Sequence, residues 1–167
     1  TGGLIDKKEI DKLVDGLKKF PNVAIFSDEI YSQQIYDGKK MPSFFYYPEL
    51  YDRLIVMDGW SKTYAMTGWR LGWSVWPETL IDKVTRMAIN SYSCVSASNQ
   101  VAALAALEGS HDFLDDMMEK FDKRRKLIVD GLNSLSGIKC NNPGGAFYTF
   151  PNVSETGMSG DTFAEKC

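Results

Sequence analysis

Residues 54–73, LIVMDGWSKTYAMTGWRLGW, decide the fold that this sequence predicts. The apolar run at 54–58 is short and contains β-branched residues, which predicts a strand buried on both faces, and Gly59 ends it. Lys62 then lies in the turn past the carboxyl end of this strand, where open α/β sheets bind their ligands. A partly desolvated amine near other positive charge can attack an aldehyde, and the planar guanidinium of Arg70 can bind a phosphate through two donors. The stretch therefore suits a covalently held, phosphorylated cofactor.

A second short strand is predicted upstream, at 23–26, and polar groups follow its carboxyl end. Asp28 falls at that end, and Tyr31 stands three residues further on. A carboxylate at this point can keep a pyridine nitrogen protonated, which makes the ring an electron sink, and a phenol can hydrogen-bond an oxygen on the ring. The pair extends the hypothesis from a reactive lysine to a pyridine cofactor.

Each of these residues also has a common structural explanation. A single loop lysine is usually solvated, and a single arginine usually forms a surface ion pair. An aspartate after a strand usually caps a helix or shapes a turn, and a tyrosine usually packs in or around the core. Only the combination of Asp28, Tyr31, Lys62 and Arg70 favours a binding site.

Three segments of the sequence together resemble one known family. They are SDEIY at 27–31, SKTYAMTGWRLG at 61–72 and PGGAFYTF at 143–150. In this order and at these separations they resemble the class I/II aminotransferases, which are fold-type I pyridoxal-phosphate enzymes. The opening TGG at 1–3 resembles the end of the Asn-Pro-Thr-Gly motif of that family, so the resemblance runs along essentially the whole chain.

The resemblance implies a role for five residues. Lys62 matches the catalytic lysine that holds pyridoxal 5'-phosphate as a Schiff base, and Asp28 matches the aspartate paired with the pyridinium nitrogen. Tyr31 matches the tyrosine that bonds the ring oxygen, and Arg70 matches the arginine that binds the phosphate. Ser61 stands at a position that is often serine in the family, which implies a further phosphate contact.

This further phosphate contact has two alternatives. In some relatives of the family the phosphate-binding hydroxyl stands three residues before the lysine, and this sequence has Gly59 there. The contact is therefore either absent or supplied from elsewhere.

The resemblance also implies an α/β fold class in two parts. We expect residues 1–125 to belong to the large cofactor-binding domain, with a mixed, mostly parallel sheet and helices on both faces. Residues 126–167 are expected to start the smaller α+β domain. The 167 residues begin inside a motif and stop inside a predicted helix, whereas subunits of the family are longer. We therefore expect a partial chain that by itself binds cofactor poorly and does not transaminate.

Hydrophobic periodicity predicts the remaining elements of the chain. Helices are expected at 5–20, 78–90, 99–108 and 112–134, and further strands at 71–76 and 146–150. The helix at 99–108 is rich in alanine, which lets another backbone come close. We therefore expect this helix to be buried.

Composition and charge argue against several classes of function. The net charge is −3 and basic residues are scattered, so nucleic-acid binding is not expected. The one basic cluster, at 123–126, is expected on a solvated helix face with i,i+4 ion pairs. Three cysteines without CxxC spacing and a single histidine argue against a metal site and indicate a reducing, cytoplasmic location. No apolar run is long enough to span a membrane.

The function implied by the resemblance is transamination between an amino acid and a 2-oxo acid. The Thr-Gly-Trp-Arg form of the lysine motif resembles the aspartate and aromatic aminotransferase branch, which favours substrates of those types. A homodimer is expected by analogy with the family. Two alternatives stay open: another reaction on the same cofactor, such as a C–S β-lyase, and a non-enzymatic regulatory domain that binds pyridoxal phosphate.

Overall fold

A computed structural model describes residues 1–167 as six α-helices and a three-stranded sheet. The helices are α1 (Lys7–Leu17), α2 (Trp60–Thr63), α3 (Glu78–Tyr92), α4 (Ala97–Glu108), α5 (Asp112–Asn133) and α6 (Gly160–Lys166). The strands are β1 (Ile25–Asp28), β2 (Leu54–Gly59) and β3 (Gly72–Val75). None of the helices combines the length and the apolar character that crossing a membrane requires.

The sheet brings two chain segments to one edge. Its order is β1-β2-β3, with β1 parallel and β3 antiparallel to β2. Asp28 at the end of β1 pairs with Met57, and Gly59 at the end of β2 pairs with Gly72. Because parallel strands end at the same edge, the residues after β1 lie at the edge from which the β2–β3 connection departs.

The core that supports this sheet lies against α1. Ile10 and Val14 are spaced four residues apart on one face of α1, and both are buried. They form one buried cluster with Ile25, Leu50, Leu54 and Val56. Each such side chain contributes about 1.5–3 kcal/mol relative to an exposed position. The cluster holds β1 and β2 in place and so fixes where their carboxyl ends lie.

The residues of the chain form two compact units. One unit comprises residues 5–33 and 40–111 and contains the sheet and α1–α4. The other comprises residues 1–4, 34–39 and 112–167 and contains α5 and α6. We call them the sheet unit and the α5 unit. The predicted domain boundary after residue 125 lies inside α5 and stays a prediction.

A buried arginine organises the α5 unit. Arg125 donates two hydrogen bonds to the carboxylate of Asp37, at 2.7 and 2.9 Å, one to Asp122 at 2.9 Å and one to the carbonyl of Pro143 at 2.8 Å. Its guanidinium carbon lies 4.3 Å from the centroid of the Tyr36 ring. These contacts join three segments that are distant in sequence.

The expectation of a fully solvated basic cluster at 123–126 is wrong for Arg125, which is only 5% exposed. Lys123 and Lys126 do form i,i+4 ion pairs on the exposed side of α5, with Glu119 and Asp122. Successive helical side chains diverge by about 100°, so four consecutive basic residues cannot all share one face. One of them therefore turns inward.

The predicted strand at 146–150 does not form. Ala146 has a left-handed backbone, with φ at 57°, which interrupts an extended segment. Its N–H donates to Gln34 O at 2.7 Å, and an isolated bridge joins Ile35 to Gly145, but no ladder continues beyond it. Whether an extended segment finds a neighbouring strand to pair with depends on the tertiary structure, which the local sequence pattern does not reveal.

The expectation of a buried α4 is also wrong. Ala103 is the buried residue of this helix, whereas Val101 is 69% and Leu104 is 53% exposed. A neighbour does approach the buried alanine, since the indole N–H of Trp60 donates to Ala103 O at 3.1 Å. Small side chains allow a neighbour to approach but do not supply one.

Candidate active site

The β2–β3 connection carries three of the predicted site residues. Ser61 and Lys62 lie in α2, directly after β2, and Arg70 lies just before β3. Asp28 ends the neighbouring strand β1, and Tyr31 follows in the next turn. All five therefore belong to the sheet unit, at the carboxyl ends of its two parallel strands.

Gly59 permits the tight entry into α2. A Cβ at this position would lie 2.7 Å from Leu71 O and 2.9 Å from the Cα of Gly72. The peptide N–H of Trp60 donates to Leu71 O at 3.3 Å, which closes the two ends of the connection against each other. A side chain at position 59 has no room in this arrangement.

Lys62 and Tyr31 meet at this edge. The Lys62 Nζ lies 5.8 Å from the centroid of the Tyr31 ring, within the range of a cation–π contact. Both side chains are half-buried. Lys62 and Tyr31 are thus neighbours in space although they are 31 residues apart in the sequence.

Asp28 and Arg70 are exposed and shaped by local turns. The Asp28 Oδ1 accepts a hydrogen bond from the Ile30 N–H at 3.3 Å, which fits the role of a turn residue. Arg70 adopts a left-handed backbone, with φ at 54°, and its Nη1 donates to Thr67 O at 3.0 Å. The chain before it is held by Asn99, whose amide donates to Trp69 O at 2.8 Å.

Sequence reasoning missed Asp58, which lies at the centre of this edge. Its Oδ2 accepts a hydrogen bond from Ser32 Oγ at 3.0 Å, and its Oδ1 accepts one from the Gly59 N–H at 2.6 Å. Burial raises the pKa of the Asp58 carboxyl, the two hydrogen bonds lower it, and the nearby carboxylates of Glu29 and Asp28 raise it further. The only sequence signal was an acidic residue inside a strand that otherwise reads as buried.

A separate apolar cavity of about 310 Å³ lies within the α5 unit, lined in part by Tyr36, Phe121 and Phe147. None of the predicted site residues lines it. The predicted site residues lie instead at the edge of the sheet, in the sheet unit.

The fold and the lysine-bearing connection define a class of protein. The family model described as "Aminotransferase class I and II" matches residues 1–167, and the chain belongs to this family of pyridoxal-phosphate-dependent enzymes. The predicted family and its α/β fold are thereby confirmed.

Individual relatives are similar along almost the whole chain. It is 37% identical to the putative aminotransferase YugH of Bacillus subtilis and 39% identical to an aspartate aminotransferase of Pyrococcus horikoshii, in each case over 99% of this chain and 42% of the relative. The solved structure of an aromatic aminotransferase from Pyrococcus horikoshii superimposes with a TM-score of 0.92 at 33% identity, covering 99% of this chain and 44% of that one. The chain thus spans less than half the length of these relatives.

Proposed function

We propose that the protein is an aminotransferase in which Lys62 holds pyridoxal phosphate as a Schiff base. The observation that carries this proposal is the approach of the Lys62 amine to the Tyr31 ring, 5.8 Å from its centroid, at the carboxyl ends of β1 and β2. Membership of the aminotransferase family supports it. When bound, the cofactor supplies an electron sink for the carbanion that forms at the substrate Cα.

The donor set at this edge fits the chemistry of pyridoxal phosphate. An aldehyde needs an amine, which Lys62 supplies, and a protonated ring nitrogen needs a carboxylate, which Asp28 supplies. A ring oxygen needs a donor, which is the Tyr31 phenol, and a phosphate dianion needs cationic or hydroxyl donors, which are Arg70 and Ser61. No other residue in the chain has to be invoked for these contacts.

In the proposed reaction Lys62 also moves a proton. Freed by the incoming amino-acid substrate, the Lys62 amine would take the proton from the substrate Cα and pass it to the cofactor carbon C4′, the atom to which the lysine itself had been bonded. Asp28 contributes a fixed negative charge that is in place before the reaction begins. The Tyr31 phenol orients the ring by its hydrogen bond to the ring oxygen.

The substrate class and the assembly are part of the proposal. The relatives include proteins named aspartate aminotransferase and aromatic aminotransferase, which supports an amino donor of one of these types and a 2-oxo acid acceptor. We further propose a cytoplasmic homodimer. Residues 1–125 would belong to the large domain and residues 126–167 to the small one.

The proposal is tested by replacing Lys62. The full-length protein is incubated with pyridoxal phosphate, reduced with borohydride and digested, and the modified peptide is identified by mass spectrometry. We expect the label on the peptide containing Lys62, and we expect Lys62→Ala to lose both the label and the amine transfer. Lys83→Ala, an exposed lysine of α3, serves as the matched control and keeps the label.

Dependence on the 2-oxo acid separates transamination from its alternatives. An aminotransferase turns over only when both the amino acid and the 2-oxo acid are present, whereas a β-lyase consumes the amino acid alone. Turnover without the 2-oxo acid, or a labelled protein with no turnover on any amino acid, contradicts the proposed function. Amine transfer retained by Lys62→Ala contradicts the assignment of the lysine.

A further inference from the structure

Asp58 closes a ring of hydrogen bonds around the turn that carries Tyr31. The Glu29 N–H donates to Met57 O at 2.8 Å, which extends the pairing of β1 with β2 by one residue. The Ser32 N–H donates to Glu29 O at 2.8 Å, and the Ser32 hydroxyl donates to the Asp58 carboxylate at 3.0 Å. Since Asp58 follows Met57 in β2, the ring is complete.

The other carboxylate oxygen of Asp58 acts on the lysine side of the edge. It accepts the N–H of Gly59 at 2.6 Å, at the point where β2 turns into α2 and its residue Lys62. One half-buried carboxylate thus bonds the residue after Tyr31 and the residue that begins the lysine turn. The two bonds thus connect the turn that carries Tyr31 with the turn that carries Lys62, whose Nζ lies 5.8 Å from the centroid of the Tyr31 ring.

We propose that Asp58 is a positioning residue that sets the placement of the Tyr31 phenol relative to the Lys62 amine, acting together with Ser32. The inference rests on the proposed function, because the separation of phenol and amine matters chemically only when both hold the cofactor. Asp58 itself touches neither the cofactor nor the substrate in this role. Its effect passes through Ser32 to Tyr31 and through Gly59 to Lys62.

The chemistry of the ties predicts which substitution is tolerated. An asparagine amide is nearly the same shape as the carboxylate, and its oxygen can accept the Gly59 N–H while its NH₂ group donates to the Ser32 hydroxyl, which can also accept. Alanine can make neither bond. Asp58→Asn therefore keeps both hydrogen bonds but removes the charge. Asp58→Ala and Ser32→Ala each remove the hydrogen bond between residue 58 and the turn that carries Tyr31.

The test uses the cofactor-loaded full-length protein and reads the pH midpoint at which the absorbance of the Lys62-bound cofactor changes. In Asp58→Ala and Ser32→Ala we expect the midpoint to move by about half a pH unit or more, the equivalent of one modest hydrogen bond. We expect kcat to fall about tenfold with little change in KM, since groups that are misplaced bind substrate but react slowly. The double variant should move the midpoint no further than Asp58→Ala alone, because Asp58→Ala already breaks the bond to Ser32 as well as the bond to the Gly59 N–H.

Two comparisons make the inference falsifiable. Asp58→Asn should have a pH midpoint close to that of the wild type. Asp82→Ala, which removes an exposed carboxylate of α3, should leave the midpoint unchanged. If Asp58→Asn shifts the midpoint as far as Asp58→Ala, the charge matters and the positioning role is overturned. If Ser32→Ala leaves the midpoint unchanged, the role is also overturned, even where Asp58→Ala fails to fold. Absence of a borohydride label on Lys62 in the unmodified protein would instead overturn the proposed function.

Discussion

Gly59 sets the path of the chain into the turn that carries Lys62. A Cβ here would lie 2.7 Å from the Leu71 carbonyl oxygen and 2.9 Å from the Gly72 Cα. Both of these are backbone atoms, which cannot move aside unless the chain around them moves. We predict that Gly59→Ala lowers the free energy of unfolding by about 1–3 kcal/mol, the usual cost of overpacking. The variant should also bind pyridoxal phosphate more weakly, because the turn must shift to accommodate the methyl group. Urea denaturation and cofactor titration measure the two effects.

The matched control for this change is another glycine of the sheet unit. Gly16 lies within α1, and a Cβ there meets no atom within 4 Å. Gly16→Ala should therefore raise the free energy of unfolding by about 0.5–1 kcal/mol, because alanine favours the helix. If the two variants change stability in the same direction, the close contact at Gly59 is not what constrains the turn.

At the level of single residues, sequence reasoning reached the groups with recognisable chemistry. Lys62 and Tyr31 were each expected after a strand, but the parallel pairing of these two strands, which brings the side chains within 5.8 Å, is seen only in the structure. Asp58 could not be identified in this way, since its partner Ser32 is 26 residues away and a serine beside a tyrosine has no distinctive pattern. The roles of all five predicted site residues toward a cofactor stay predictions.

Among the secondary-structure elements, α1 depends on an arginine outside the helix. The Arg53 guanidinium donates to Leu17 O at 2.9 Å, Phe20 O at 2.6 Å and Val23 O at 2.9 Å, and so satisfies carbonyls at and beyond the end of the helix. We predict that Arg53→Lys lowers the free energy of unfolding by about 1–2 kcal/mol, because one ammonium cannot replace a planar fork of donors. Urea denaturation followed by circular dichroism measures the change.

The control for Arg53 is a lysine at the same end of α1. Lys18 forms ion pairs with Asp15 and Glu49, and its side chain is 51% exposed. Lys18→Ala should cost less than about 1 kcal/mol, as exposed ion pairs usually do. An equal loss in both variants would mean that Arg53 acts only as one more surface charge.

Helices and strands differed in how well the sequence predicted them. The long periodic helix at 112–134 forms as α5 almost to the residue, and the predicted strand at 54–58 forms as β2. The apolar residues of α5 recur at helical spacing and β2 is a short apolar run, so both patterns can be recognised in the local sequence. The strand expected at 146–150 fails because a strand also needs a paired neighbour, and burial of α4 fails because it depends on what packs against the helix.

Across the whole molecule, each compact unit has a carboxylate network that joins distant segments. Asp58 joins segments 26 residues apart in the sheet unit, and Asp37 joins Arg125 across 88 residues in the α5 unit. Local sequence patterns predict helices and strands but not these long-range polar ties. The position of Arg125 within a basic cluster even pointed to solvent, although its guanidinium is buried.

The α5 unit should lose stability in acid through Arg125. The hydrogen bonds from its guanidinium hold the pKa of Asp37 below the ordinary value of 3.8, so this contribution is complete above that value and is lost as the pH falls through the lowered pKa. At neutral pH, Arg125→Gln should lower the free energy of unfolding by about 2 kcal/mol, less than for a fully buried pair because Asp37 is half exposed. Urea denaturation at pH 7 and at pH values below 3.8 should show this difference shrinking in acid. Arg124→Gln, its exposed neighbour, should change stability by less than about 0.5 kcal/mol. A loss that is equal at both pH values would mean that Arg125 stabilises the unit by packing on Tyr36 and not by its charge.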